Sequence, residues 1–362
     1  MRIELPLWYD LHAHFRQGDI IPALVADHLK MGAAGILAMP NTKPPVAKVK
    51  KSDAGNCWSI EEYLEMLRKA GADQFDDIIV PLYLTGNTTP AMIEAGAKSG
   101  LLRAAKYYPP HGTTGSEFGV PFANYIANDV FKAMADNNVV LNIHGEEHGL
   151  SGEAYFGKGT NAEEYFYKER LPAAIDRFPT LKIVGEHVTT KIAVDTIKAA
   201  GANVAATITP QHLLYTMGHM VQGFKYHMYC LPLLKFEDDR TALRNAVIDP
   251  ANKKFFAGTD SAPHFKKVTP CGCAAGCYTG GIAPQMYAEG FEAAGADVAG
   301  AAFKNFLCLS GPTFYGLKAQ TRTFVLEKRD TPVLPCNTPE GAVIPLPAGM
   351  NGENATLSWP LA

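Results

Sequence analysis

Short apolar runs alternate with amphipathic segments along most of this chain. The continuous apolar runs are typical of parallel strands buried on both faces, and the amphipathic segments have the spacing of surface helices. The pattern predicts a first strand that ends in His12-Ala13-His14, and further strands over residues 33–41, 78–84, 101–108, 139–144, 181–187, 203–208 and 254–259. It predicts helices over residues 20–31, 59–71, 89–98, 129–137, 163–178, 189–200 and 240–247. This order indicates an α/β protein.

Eight strands separated by helices predict one closed (β/α)8 TIM barrel. A doubly wound open sheet is the alternative, but that fold usually has a Gly-rich phosphate loop after its first strand. Here His12-Ala13-His14 occupies that place. Residues 285–317 are expected to be helical, and the tail is rich in Pro and Gly. We therefore predict a barrel over residues 1–320 and a C-terminal extension, residues 321–362, packed on it.

The composition narrows the class of protein. The chain has 362 residues, of which 47% are hydrophobic and 19% charged, and its net charge is -3. These values are typical of a globular protein with a large core and give no reason to propose nucleic acid or an acidic membrane surface as a partner. The sequence has no apolar run of about 18 residues and no signal-peptide features at its N-terminus. The expected location is the cytoplasm.

The cysteines do not predict a disulfide framework. They are seven, an odd number, in a chain with an expected cytoplasmic location. Three lie close together in Cys271-Gly-Cys273-Ala-Ala-Gly-Cys277. This spacing matches neither a zinc-binding CxxC pair nor a ferredoxin run. We therefore expect a tight Gly-rich loop with buried thiols, and a structural metal site is the less favoured alternative.

The His-x-His sequence is a first candidate for metal chemistry. Residues two apart in a strand point to the same side, so His12 and His14 project together. Imidazole is a common protein ligand for zinc and similar ions. Two ordinary strand-end histidines would give the same sequence. The metal interpretation therefore depends on further ligands from other strands.

Other strands also end in polar residues. The carboxyl ends of barrel strands meet at the rim that holds the active site. A charge or an imidazole after an apolar run is costly to bury without a partner. The strand ends supply, in chain order, His12, His14, Arg16, Asn41, Lys106, His144, His187 and Asp260. Four histidines, a lysine and an aspartate at one rim are hard to explain as ordinary core residues.

This arrangement resembles the amidohydrolase superfamily, with His-x-His on strand one, lysine on strand four, histidines on strands five and six, and aspartate on strand eight. Longer matches resemble one of its families, the dihydroorotases of the single-domain bacterial type. They lie between residues 8 and 317 and comprise Met39-Pro-Asn-Thr42, Ala105-Lys-Tyr-Tyr-Pro109, His144-Gly-Glu146, Glu186-His-Val-Thr-Thr-Lys191, Ala205-Ala-Thr-Ile-Thr-Pro-Gln-His-Leu213, Tyr229-Cys-Leu-Pro232 and Gly258-Thr-Asp-Ser-Ala-Pro-His264.

The resemblance implies two zinc ions, one held by His12, His14 and Asp260 and the other by His144 and His187. Lys106 would be carboxylated by CO2 on its side-chain nitrogen and would bridge both ions. A bare ammonium repels cations, whereas a carbamate is a bidentate ligand. The carbamate forms from the neutral amine, which desolvation or a nearby metal favours. An ion pair with Asp260 is the alternative for Lys106.

The reaction implied by the resemblance is the reversible cyclisation of N-carbamoyl-L-aspartate to L-dihydroorotate and water, in the de novo synthesis of pyrimidines (UMP). In the hydrolytic direction water attacks the ring amide, and the metal ions lower the pKa of that water and polarise the carbonyl. Asp260 would accept the proton and pass it to the leaving ring nitrogen.

The resemblance also implies roles in substrate binding. Arg16, Asn41 and His264 correspond to residues that bind the free carboxylate, and a guanidinium suits that role because it pairs bidentately. The alternatives are a surface cation, a turn residue and a loop histidine, respectively. Leu231 and Ala275 match positions whose backbone groups meet the substrate ring. Because the cysteine loop is one residue longer than the family pattern, Ala274 is the alternative to Ala275.

Residues 110–116, Pro-His-Gly-Thr-Thr-Gly-Ser, resemble the mobile loop of the family. Its paired threonines close over the substrate, so Thr113 and Thr114 would do so here, and the adjacent glycines would allow the motion. An ordinary polar surface loop is the alternative. Residues 146–148, Glu-Glu-His, follow a ligand position, and we assign them no role.

Two other functions compete with this interpretation. A dihydropyrimidinase or hydantoinase would use the same metal site on a neutral ring. Such a ring has no free carboxylate for Arg16, Asn41 and His264 to bind. A non-catalytic partner of another pyrimidine enzyme would have lost metal ligands, whereas the ligand positions are all filled here. The resemblance implies a small-molecule substrate and a homodimer.

Overall fold

The computed structural model describes residues 1–270, 272–351 and 355–361. Cys271 of the predicted cysteine loop lies outside these ranges; Cys273 is half-buried and Cys277 is buried.

Along the described chain, parallel strands alternate with helices from residue 8 to residue 257. The α/β alternation predicted from the hydrophobic pattern is therefore present.

Within the described residues, eight parallel strands form the wall of a barrel. Strands that are consecutive in the wall are consecutive in the chain, as short right-handed crossovers favour. Each lies within or beside the segment predicted for it. They are Trp8–Ala13, Ala33–Ala38, Asp77–Ile79 continued by Leu82–Tyr83, Ala104–Tyr107, Val140–His144, Ile183–Glu186, Val204–Ile208 and Phe255–Ala257.

Two junctions join the three-stranded and the six-stranded parts of the wall into a closed barrel. The third strand is interrupted at residues 80–81, where Pro81 has no N–H to donate, so its first part pairs with the second strand and its second part with the fourth. The eighth strand meets the first: the amide of Asp260 donates to the His12 carbonyl (2.8 Å), and the amide of His14 donates to the Ser261 carbonyl (3.0 Å). The predicted TIM barrel is confirmed, and the open-sheet alternative is wrong.

Helices cover the outside of the barrel near the predicted positions. The capping box predicted at Ser59 is present, since its hydroxyl accepts from the amide of Glu62 while the Glu62 carboxylate accepts from the amide of Ser59. The helix predicted over residues 163–178 contains a π-helical turn, Phe166–Arg170. The α-helices of the described chain are Ile21–Lys30, Ile60–Lys69, Pro90–Lys98, Phe122–Ala127, Val130–Asp136, Glu153–Phe156, Ala162–Tyr165, Leu171–Arg177, Lys191–Ala199, Pro210–Leu214, Met217–Val221, Glu237–Val247, Ala283–Ala293, Ala301–Lys304, Ser310–Tyr315 and Leu346–Asn351. No helix in these ranges has both the length and the apolar character of a membrane span.

The barrel interior has an apolar layer at the amino-terminal ends of its strands. This layer consists of Tyr9, Leu11, Ala34, Leu37, Met39, Ile79, Ala104, Val140, Val184, Ala205 and Phe256. Phe314, Tyr315 and Leu317, at the end of the last barrel helix, pack against it. Because these side chains fill one end of the barrel, the polar residues at the strand ends are gathered in a separate layer at the other.

The C-terminal extension begins with a strand, Thr323–Glu327, that pairs antiparallel with Arg2–Pro6. The hydrophobic pattern does not reveal this N-terminal strand, because its stability depends on a partner that is 317 to 325 residues away in the chain. Trp359 is fully buried, and its indole N–H donates to Glu292 of a barrel helix (3.0 Å). The division of the chain at residue 320 stays a prediction. Other short strand pairs are Val46–Lys48 with Trp58–Ser59, Val268–Thr269 with Gly272–Cys273, Thr331–Pro332 with Thr356–Leu357, and Cys336–Thr338 with Gly341–Val343.

Candidate active site

The carboxyl ends of the strands surround one cavity. Most of the predicted site residues line it. Lys106 and His264 are just outside the lining, and Ala275, not Ala274, contributes to it. The lining residues are His12, His14, Arg16, Asn41, Tyr108, Thr113, Thr114, His144, His187, Leu231, Asp260, Ala262, Ala275 and Gly276.

Backbone geometry turns several of these side chains into the cavity. Arg16, His187 and Asp260 have positive φ angles of 56°, 40° and 48°, in the left-handed region that non-glycine residues rarely adopt. Such a conformation costs on the order of 1–3 kcal/mol and persists where surrounding structure demands it. At His187 the amide is held by the Thr207 hydroxyl (2.8 Å). The strain therefore coincides with the strand ends that carry candidate chemistry.

Two imidazoles and one carboxylate converge at the closing seam of the barrel. One ligand atom from each of His12, His14 and Asp260 lies within 4.8 Å of the other two. Oδ1 of Asp260 is 2.9 Å from Nε2 of His14 and 3.3 Å from Nε2 of His12. Burial disfavours the charge of Asp260, but the two imidazoles beside it hold its pKa well below its usual value. Burial lowers the pKa of His14 to about 4, so its ring is neutral.

The second nitrogen of each of three imidazoles is occupied by an oxygen acceptor. Nδ1 of His12 donates to Glu186 (2.7 Å), Nδ1 of His14 donates to the Asn41 side-chain oxygen (2.9 Å), and Nε2 of His144 donates to Glu146 (2.8 Å). Such partners fix the orientation of a ring and leave its other nitrogen free for a metal ion. The free nitrogens are therefore Nε2 in His12 and His14, and Nδ1 in His144.

Glu186 and Glu146 are functional candidates that the sequence interpretation missed. Glu186 is fully buried and also accepts hydrogen bonds from the Thr207 hydroxyl (2.6 Å) and from the Asn142 amide. It directly follows the apolar run Ile183–Gly185, where a carboxylate is as costly to bury as the adjacent histidine. That cost is the signal that could have identified Glu186.

Lys106 is fully buried beneath the cavity, and its Nζ has no hydrogen-bond partner among the described residues. The alternative of an ion pair with Asp260 is therefore not formed. Burial lowers the pKa of Lys106 to about 8, against the opposing charges of Glu186 and Asp260. Nδ1 of His187 is likewise buried without a partner in the described chain. The unpartnered Nδ1 of His187, next to three converging ligand atoms, fits the donor set of a metal centre.

The rings of three histidines lie next to one another. The ring centroids of His144 and His187 are 4.7 Å apart, and those of His12 and His187 are 5.0 Å apart. All three side chains are almost fully buried. Histidines from the first, fifth and sixth strands thus form one cluster in the polar layer.

Arg16 and His264 meet on another side of the cavity. Nε2 of His264 is 2.7 Å from the Ala275 carbonyl oxygen, and Arg16 Nη2 is 3.3 Å from the same nitrogen. Since a carbonyl only accepts, Nε2 carries the proton, and the Arg16 guanidinium is a close neighbour without donating to it. Burial and the charge of Arg16 lower the pKa of His264 to about 3, so its ring is neutral. Arg16 is half-buried and lines the cavity, so the surface-cation alternative does not describe it.

The loop of residues 110–116 lies over the cavity. The Asn41 amide donates to the Thr114 carbonyl (2.9 Å), and the Tyr83 hydroxyl donates to the Gly115 carbonyl (3.1 Å). The Thr114 hydroxyl is 3.5 Å from the Ala275 carbonyl. Asn41 therefore joins the loop to His14, in addition to lining the cavity.

Comparison with known proteins finds relatives over nearly the whole chain. The chain is 41% identical over 357 residues to a dihydroorotase of Pseudomonas syringae pv. tomato. The alignment covers 97% of this chain and 96% of the relative. A dihydroorotase from Saccharomyces cerevisiae, solved in complex with 5-fluoroorotic acid, superposes with a TM-score of 0.86 at 29% identity and covers 100% of this chain and 98% of the other. No protein-family model matches the chain.

A more distant structural neighbour has the same barrel. The L-hydantoinase of Arthrobacter aurescens superposes with a TM-score of 0.71 at 16% identity, and covers 91% of this chain and 77% of its own. At that level of identity the likeness concerns the fold alone.

Proposed function

The chain belongs to the dihydroorotase family of cyclic amide hydrolases, and we propose that it interconverts N-carbamoyl-L-aspartate and L-dihydroorotate in pyrimidine biosynthesis. One observation of the site carries this assignment. The converging ligand atoms of His12, His14 and Asp260 and the guanidinium of Arg16 line the same small cavity. A metal centre suits hydrolysis of a ring amide, and the cation suits a substrate with a free carboxylate.

We propose that the metal centre consists of two zinc ions. His12, His14 and Asp260 would hold one ion, His144 and His187 the other, and carboxylated Lys106 both. The buried Nζ of Lys106, which has no partner in the described chain, and its pKa of about 8 support carboxylation, because CO2 reacts with the neutral amine. When bound, the ions lower the pKa of the attacking water and polarise the substrate carbonyl.

Asp260 is the residue we assign to proton transfer. The adjacent His12 and His14 hold the pKa of Asp260 well below its usual value, so its carboxylate is ionised at neutral pH and is available to accept a proton from the attacking water. In the hydrolytic direction it would pass that proton to the ring nitrogen that leaves. In the cyclisation direction the same carboxyl group would take the proton back.

The remaining residues would bind and enclose the substrate. Arg16 would pair with the free carboxylate, and the neutral His264 beside it would bind the same carboxylate by turning its N–H away from the Ala275 carbonyl. Asn41 donates one amide hydrogen to Thr114 and has a second one left for the substrate. The backbone of Leu231 and Ala275 would contact the ring. Thr113 and Thr114 would close the cavity and exclude water.

The test is turnover by purified, zinc-supplied protein, with L-dihydroorotate, dihydrouracil and hydantoin measured side by side. Rapid hydrolysis of L-dihydroorotate, with little or none of the two neutral rings, is the expected result. Activity on the neutral rings alone would overturn both the substrate and the roles of Arg16, Asn41 and His264. No activity on any of the three by protein with full metal content would overturn the proposed function.

A further inference from the structure

Tyr107 and Tyr108 have opposite surroundings at the end of the fourth barrel strand. Successive side chains of a strand point to opposite faces, so Lys106 and Tyr108 share the inner face and Tyr107 lies on the outer one. The Tyr107 ring packs among the helices, 5.0 Å from the Phe122 ring and 6.1 Å from the Phe166 ring. The Tyr108 ring centroid lies 5.3 Å from Nζ of Lys106. The sequence interpretation gives neither tyrosine a role.

Tyr108 is part of the cavity wall. It is 2% exposed, its ring centroid is 4.9 Å from that of Tyr83 and 6.5 Å from that of His144, and it lines the same cavity as Arg16 and Asp260. These contacts place the aromatic ring beside both the candidate metal centre and the anchor of the loop over residues 110–116. The side chain is therefore held firmly by packing.

The hydroxyl of Tyr108 has no hydrogen-bond partner among the residues that the structure describes. A buried tyrosine normally finds a partner for its O–H, because an unpaired donor costs free energy. Because the Tyr108 side chain belongs to the cavity wall, a molecule bound in the cavity can supply the partner that this O–H lacks. None of the residues assigned to the substrate so far supplies a phenol.

We propose that the Tyr108 hydroxyl donates a hydrogen bond to an oxygen atom of the bound substrate, which makes Tyr108 a further substrate-binding residue. The identity of that substrate rests on the proposed function. L-dihydroorotate and N-carbamoyl-L-aspartate both present carbonyl and carboxylate oxygens, which are acceptors for an uncharged O–H. The contact adds a donor on the Lys106 side of the cavity to the donors contributed by Arg16.

The experiment compares Tyr108→Phe with Tyr107→Phe. The first substitution removes only the Tyr108 hydroxyl and keeps the ring that packs on Tyr83, and the second removes a hydroxyl from the adjacent residue on the outer face. The readouts are the dissociation constant for 5-fluoroorotate, by calorimetry, and kcat and KM for L-dihydroorotate. Zinc content and melting temperature establish that both variants are folded and loaded.

For Tyr108→Phe we expect the affinity for 5-fluoroorotate and kcat/KM to fall roughly three- to tenfold, which is the effect of losing one uncharged hydrogen bond. For Tyr107→Phe we expect neither quantity to change. The proposal is overturned if both quantities in Tyr108→Phe stay within twofold of the wild type. A fall in kcat with unchanged 5-fluoroorotate affinity and unchanged KM would also overturn it, since that indicates positioning of Lys106 without contact to the bound ring. A wild-type protein that binds 5-fluoroorotate but does not hydrolyse L-dihydroorotate rejects the proposed function and leaves the binding comparison to decide on Tyr108.

Discussion

Glu186 accepts a hydrogen bond from His12, with 2.7 Å between Oε2 of the carboxylate and Nδ1 of the imidazole. The bond crosses the barrel from the sixth strand to the first. It occupies the nitrogen of His12 that does not face Asp260, and Nε2 therefore stays directed at the Asp260 carboxylate, 3.3 Å away. The sixth strand thus supplies one candidate ligand, His187, and orients another.

Removing the carboxylate of Glu186 is expected to weaken metal binding. In Glu186→Gln, an amide cannot accept from His12, Thr207 and Asn142 together as the carboxylate does. Loss of such an orienting partner typically costs about 10- to 100-fold in metal affinity. Competition with a chelator measures the effect. Glu147→Gln, which removes a carboxylate paired with Arg170, is the matched control, and equal metal affinity in the two variants would contradict the role of Glu186.

Substitution of Arg16 is expected to separate substrate binding from metal binding. Arg16→Ala removes the cation that we assign to the substrate carboxylate. Loss of one partner of a buried charge pair costs about 2–5 kcal/mol, so KM for L-dihydroorotate should rise at least about 30-fold. Steady-state kinetics and zinc analysis measure the two properties. Zinc content should equal that of the wild type and of Lys43→Ala, which removes an exposed cation; complete metal loss in Arg16→Ala would count against the assignment.

The carboxylated lysine has a direct chemical test. Lys106→Ala should lose most of its bound metal, since the bridge between the two proposed ions is gone and the space of the side chain is empty. Added propionate should restore part of the metal content, because it supplies a carboxylate to that space. Propylamine, of similar size but cationic, should not. Metal analysis after dialysis measures both, and full metal content in the unsupplemented variant would rule out a bridging Lys106.

A pH dependence of stability is expected from Glu163. Burial raises the pKa of Glu163 from 4.5 to about 7, although Lys235 and Thr189 favour its charge. The folded protein therefore holds this proton more tightly than the unfolded chain. The contribution is fully present below pH 4.5 and is lost as the pH rises to about 7, with a total on the order of 3 kcal/mol.

Urea unfolding between pH 4.5 and 7.5 measures this contribution. The free energy of unfolding of the wild type relative to Glu163→Gln should fall as the pH rises through this window. Exposed Glu169→Gln, six residues further along the same helical segment, is the control. Parallel curves for the wild type and Glu163→Gln would refute the assigned shift. The effect concerns the segment after the sixth strand, because Glu163 accepts from the amides of Thr189 (2.7 Å) and Thr190 (3.2 Å).

Local periodicity in the sequence predicted much of the fold and of the candidate site. The continuous apolar runs located all eight barrel strands, and the capping box at Ser59 located a helix start, because both depend on residues close together in the chain. The polar residues after the runs then predicted a shared rim. His12 and Asp260 are 248 residues apart, yet their position at strand ends was sufficient to bring them together once the barrel was assumed.

Other features depended on partners that sequence spacing does not reveal. The strand Arg2–Pro6 needs Thr323–Glu327, and the choice between Ala274 and Ala275 as a lining residue depends on how the loop packs. Glu186 lies in one of the sequence matches to the family but was given no role, because its function depends on a hydrogen bond from His12 on another strand.

The sequence by itself determined the barrel, its rim and the candidate ligand set, because strand and helix periods and strand-end polarity are local properties of the chain. Only the tertiary structure decided which nitrogen of each imidazole is free, that Lys106 has no partner in the described chain, and that the hydroxyl of Tyr108 is unpaired while its ring lines the cavity. These properties depend on distances between side chains from different strands. Such distances follow from the packing of the closed barrel and not from spacing along the chain.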